Sequence, residues 1–94
     1  MKTIWKFPVP PTDEGSILEM PQGAEIQVQG GGVQLWALVD PEADSETRIF
    51  RTYGTGHPID HEPGRLVGTY QLNGGGLIFH VFELGIEQTK RLPA

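Results

Sequence analysis

The 94-residue chain contains no cysteine, which removes disulfides, thiol nucleophiles and Cys-based zinc sites together. Serine is almost as scarce. It stands only at Ser16 and Ser45, and neither position has the strand-turn-helix setting of a nucleophile elbow. No run approaches the ~20 apolar residues of a membrane-spanning helix. The opening MKTIWKFPVP also lacks the apolar core of a signal peptide, so the expected setting is the cytoplasm. Positive charge is in deficit: seven Lys and Arg against twelve Asp and Glu leave a net charge of -5. That balance argues against duplex nucleic acid and membrane as partners, because both favour a basic surface. Helical periodicity is missing too, since no segment keeps the i, i+3, i+4, i+7 pattern over a helix length.

What is present is a series of short β-prone runs, recurring about every ten residues and separated by glycine and proline. Thr3 to Phe7 reads as an edge strand stopped by Pro8, Pro10 and Pro11, because proline withholds a ladder donor. Ser16 to Met20 can form a short strand ended by Pro21. Residues 24–29 alternate, with Ile26 and Val28 on one face, and Gly30, Gly31 and Gly32 then lead into 33–39. This is a hairpin signal. VQLWALV is apolar on both faces and reads as an interior strand. Further strands are expected at 47–53, 65–72 and 77–84, the last pair joined at Asn73-Gly74. The predicted fold is all-β, a small antiparallel sandwich or barrel with glycine-rich hairpins, forming one domain over residues 1–84. Residues 85–94 read as a tail with no required order. Trp36, Leu38, Ile49, Phe79 and Val81 are the expected core. The small size, the lack of disulfides and the two apolar faces of LIFHVFEL predict a homo-oligomer, by default a dimer.

The stretch with most chemistry is TRIFRTYGTGHPI, Thr47 to Ile59. Alternation places Arg48, Phe50 and Thr52 on one face and Arg51 and Tyr53 on the other. Amides of Gly54, Thr55 and Gly56 can form an anion nest, to which Arg48, Arg51 or Arg65 would add charge-assisted bonds. The predicted ligand site is Arg51, Tyr53, Gly54, Thr55, Gly56, His57 and Arg65, with Tyr53 stacking on a base while Arg51 grips a phosphate. The alternative is that the glycines only turn the chain and the arginines pair with Glu46 or Glu62. No Walker lysine follows, so the turn is not a P-loop. His57, Asp60, His61 and Glu62 offer metal-ligand types, but a solvated polar loop is the favoured reading. No metal, cofactor or catalytic residue is assigned. His80 is expected to be a hydrogen-bonded core histidine rather than a base.

The combination of WALVDP at Trp36 to Pro41, YGTGHPI at Tyr53 to Ile59, Gly68, Thr69 and Gln71, and FHVFE at Phe79 to Glu83 resembles a family of small proteins encoded by bacteriophages and prophages. IWKF near the start and EMP at Glu19 to Pro21 fit the same pattern. The resemblance implies a phage origin and a bacterial host cytoplasm, and it carries over no functional residue. The expected function is a non-enzymatic binding protein that acts on a host process, with an anionic small molecule or nucleotide as ligand. In its most concrete form it sequesters a nucleotide-type immune signal. The alternative is a protein-protein inhibitor or virion accessory factor whose acidic surface meets a basic partner.

Overall fold

The computed structural model describes residues 1–28 and 32–85. The runs anticipated above form seven strands: β1 (Thr3–Pro8), β2 (Ser16–Pro21), β3 (Glu25–Gln27), β4 (Gln34–Val39), β5 (Ser45–Gly54), β6 (Arg65–Leu72) and β7 (Leu77–Glu83). Their pairing makes two antiparallel sheets, β1-β4-β3 and β2-β5-β7-β6. The helical content of the described residues is one 3-10 turn, Asn73–Gly75, inside the β6-β7 connection. β1 lies at a sheet edge and β4 in the interior, as their proline and apolar patterns require. Pro21 is likewise tolerated because β2 is an edge strand. The hairpin partners β3 and β4 pair with Glu25 opposite Leu38; Gly30 and Gly31 of their connection, and residues 86–94 of the predicted tail, lie outside the described residues.

The two sheets meet through Leu35, Ala37 and Val39 of β4 and Phe50, Tyr70 and Val81 of the larger sheet, all 0% exposed. Burial of each large apolar side chain contributes roughly 1.5–3 kcal/mol. Tyr70 keeps its hydroxyl satisfied there by donating to the carbonyl of Val9 at 3.3 Å. A parallel bridge between Val28 and Gly68 ties the end of β3 to β6. Gly68 has to be glycine at this crossing, because a Cβ would collide with the carbonyl oxygen of Val28.

The expected core is corrected at two positions. Trp36 is 39% exposed and Leu38 only half-buried, because the alternation of β4 turns Leu35, Ala37 and Val39 inward instead. Trp36 lies on the outer face opposite Lys6, whose Nζ sits 6.0 Å from its ring centroid. Val81 is in the core as expected, and Phe79 is half-buried against it. Ile49 is buried, but alternation places it on the face of β5 opposite Phe50.

Candidate functional site

β5 positions both candidate arginines, and its register with β7 separates them. Phe50 lies opposite Glu83, Arg51 opposite Phe82, Thr52 opposite Val81 and Tyr53 opposite His80. Side chains at facing positions share a sheet face, so Arg48, Phe50 and Thr52 turn toward the core while Arg51 and Tyr53 turn away from it. Arg48 makes a two-point contact with Glu83, Nε to Oε2 at 2.6 Å and Nη2 to Oε1 at 2.8 Å. Its Nη1 donates to the carbonyl of Ala24 at 2.6 Å and lies 3.6 Å from the sulfur of Met20. Glu46 is a more distant partner at 3.9 Å. The bonds to Glu83 raise the guanidinium pKa above its usual value despite burial. Burial pushes the Glu83 carboxyl up, but hydrogen bonds and charge from Arg48 and Arg65 outweigh it and hold the group below the ordinary carboxylate range.

Arg51 has no such partner. It is 8% exposed, its Nε is sealed from solvent without a hydrogen bond, and its guanidinium pairs with no carboxylate among the described residues. Tyr53 beside it is 4% exposed, and its hydroxyl is buried and unpaired. The ring of Tyr53 packs edge-on against Phe82 with centroids 5.8 Å apart. That contact and the burial leave no open ring face for a base, which corrects the expected stacking role: in this conformation Tyr53 has a hydroxyl to offer, not a platform.

The Gly54–His57 segment is a β-turn closed by the His57 N–H donating to the Gly54 carbonyl at 3.0 Å. Gly56, with φ +85°, occupies the position where a type II turn demands a positive φ. The Thr55 N–H donates to the Ile78 carbonyl at 3.1 Å. Two of the turn's amides thus already bond inside the protein, and Gly56 alone is left of the three that follow Gly54; the predicted nest is reduced accordingly. The turn is pinned from β7 and β6 as well. His80 Nε2 lies 2.7 Å from the Thr55 hydroxyl and Nδ1 lies 3.0 Å from that of Thr69. A hydroxyl both donates and accepts, so this arrangement satisfies either tautomer. His80 is therefore the hydrogen-bonded histidine that was expected, although it lies on the outer face.

Arg65 is not brought to the turn. It stands opposite Glu83, and its Nη2 contacts Oε1 at 3.1 Å, whereas Gly54 stands opposite Phe79. Phe79 and Glu83 are four positions apart on β7, roughly 13 Å. Glu62 accepts from the Gly64 N–H at 3.3 Å and not from an arginine. His61 faces Asp60 at 3.2 Å in the exposed loop, and no group of three metal-ligating side chains forms among the described residues.

Two clefts flank the turn. One, about 200 Å³, is lined by Pro11, Thr12, Asp13, Thr52, Tyr53, Gly54, His57 and Phe79. The other, about 220 Å³, is lined by Gly54, Thr55, His57, Gly76, Leu77, Ile78 and Phe79. Residues 11–13 are held beside β5 by the Thr52 N–H donating to the Thr12 carbonyl at 2.9 Å. Sequence reading did not find the Arg48–Glu83 pair, the Thr12–Thr52 contact or the place of Phe79 in a cleft wall. Alternation could have supplied Thr52, but nothing local signals a contact spanning forty residues.

The fold defines a class, a two-sheet antiparallel β domain, and the outer face of its larger sheet carries an arginine that meets no carboxylate among the described residues. The chain belongs to the family described as domain of unknown function DUF7352, whose model matches residues 1–91. No curated protein and no solved structure matches the chain.

Proposed function

We propose that the protein is a non-enzymatic binding protein that holds an anionic ligand on Arg51, and that in infected bacteria it sequesters a phosphate-bearing small molecule such as a nucleotide signal. The observation that carries this reading is an arginine 8% exposed whose buried Nε has no hydrogen bond and whose guanidinium meets no carboxylate among the described residues. Withdrawing an unpaired charge from water costs several kcal/mol, and an anion that formed bidentate bonds with the guanidinium would offset that cost. Arg48, three residues earlier, shows what a satisfied arginine in this strand looks like. Sequestration requires no chemistry beyond binding. The phage setting comes from the sequence resemblance and supplies the context, not the site.

The test is thermal stability with inorganic phosphate and with linear and cyclic nucleotides, on the parent and on Arg51→Met. A ligand present at a hundred times its Kd stabilises the parent by roughly 2.7 kcal/mol and leaves the variant unmoved. Without ligand, the variant melts higher than the parent, because an apolar side chain of similar length replaces an unpaired buried charge. If no anion stabilises the parent, or if Arg51→Met lowers the melting temperature of the free protein, the arginine is structural and the reading fails.

A further inference from the structure

The two clefts on either side of the Gly54–His57 turn share three residues, Gly54, His57 and Phe79. The His57 imidazole lies between them, over the Cα of Gly54, so close that a Cβ at Gly54 would come within 2.9 Å of its Cε1. The main chain of His57 is fixed by its bond to the Gly54 carbonyl, but the side chain is exposed and no hydrogen bond or ion pair holds its ring among the described residues. A turn about χ1 into another staggered position is therefore inexpensive. Beneath the ring the floor is Thr52, Gly54 and Phe79, all on the inward side of their strands by register. Thr52 is 3% exposed, and its hydroxyl has no partner. On the opposite rim Asp13 presents an exposed carboxylate.

We propose that this cleft takes a small heteroaromatic ring carrying N–H donors, of the nucleobase kind, with Phe79 as the stacking wall, the Thr52 hydroxyl as the buried polar contact and His57 as a cover that swings aside to admit it. A cavity of about 150 Å³ accommodates benzene, so the 200 Å³ of the first cleft suits a single ring. Displacement of His57 joins it to the second cleft and gives the volume of an ordinary small-molecule site. Asp13 accepts from the ring N–H groups, and Thr52 donates to a ring nitrogen or carbonyl. This goes beyond the anion site, because Thr52 and Gly54 lie on the opposite face of β5 from Arg51, and it does not depend on that arginine.

Calorimetric titration with adenine and cytosine, with toluene as the apolar ring and inorganic phosphate as a separate arm, tests the proposal. At least one base binds the parent while toluene does not. Thr52→Val, which keeps the side-chain shape, weakens that base about tenfold and leaves phosphate binding unchanged. His57→Ala binds the base at least as tightly as the parent, since a cover and not a contact is lost. The proposal is overturned if neither base binds at millimolar concentration, if toluene binds as well as the bases, if Thr52→Val has no effect on base binding, or if His57→Ala abolishes it. Base binding without phosphate binding leaves this site standing and removes the Arg51 reading; phosphate binding without base binding does the reverse.

Discussion

The two faces of β5 treat the same side chain in opposite ways. Arg48 on the inner face has its guanidinium filled by Glu83, the Ala24 carbonyl and the Met20 sulfur, whereas Arg51 on the outer face is also buried, yet its Nε is unpaired and it meets no carboxylate among the described residues. They stand three positions apart on the strand, and side-chain alternation does the rest. A cation met inside the fold stiffens the fold. One left unmet marks a place where the chain tolerates a cost, and such places are where binding sites are usefully sought.

The comparison is broken most forcefully at Arg48. Arg48→Met leaves Glu83, 14% exposed, with only the peripheral Arg65, and a carboxylate stranded in this way costs about 3 kcal/mol. Urea denaturation should show that loss. Were it below about 1 kcal/mol, the inner arginine would be no more structural than the outer one. The same pair sets a pH dependence. The folded-state pKa of Glu83 is lowered from its ordinary 4.5, so its stabilising contribution is complete above that value and is lost as pH falls through the lowered folded value. The stability gap between the parent and Glu83→Gln should be constant near neutrality and close progressively below about pH 4.5. A gap that widens with acid would reverse the assigned sign.

Arg51→Met sharpens the contrast with a smaller effect of opposite sign. Replacement of a nearly buried arginine with an unpaired Nε by a thioether chain should raise the stability of the free protein by about 1 kcal/mol. Chemical denaturation of both methionine variants side by side reads the comparison directly. Equal losses would mean that Arg51 is held by something its geometry does not reveal.

Much of the fold was legible in the sequence because it is written locally. Prolines at 8, 10 and 11 define an edge, the glycine runs define hairpins, and the alternation of residues 47–53 separates Arg48 from Arg51 without a structure. Which face of each strand would be the core was less legible. In β4 both faces are apolar, so composition could not choose between Trp36 and Ala37; the choice belongs to the sheet packed against it, where Phe50 and Tyr70 occupy the space opposite small residues. The candidate site divides along the same line. The Gly54–His57 turn could be read from its residues. That Arg65 belongs to Glu83 and not to the turn depends on the register of β6 on β7, a long-range property with no local signature.

Arg65 supplies the finest test of the contrast, because it touches the same carboxylate as Arg48 from the solvent side. Its Nη2 lies 3.1 Å from Glu83 Oε1, nearly the distance of the inner bonds, but the side chain is 65% exposed where that of Arg48 is 13% exposed. Distance alone would rank the two bonds together; exposure separates them, because water screens the outer pair and ordering a long exposed side chain offsets most of the remaining attraction. Arg65→Ala should therefore cost no more than about 0.5 kcal/mol, and added salt should reduce even that. Since Arg65 stands at the far end of β7 from the turn, the substitution should also leave phosphate binding at Arg51 and base binding beneath His57 unaltered. A loss comparable to that of Arg48→Met would show Glu83 to be held equally from both sides. A loss of phosphate binding would bring Arg65 back into the ligand site, and the outer-face arginine would then no longer act alone.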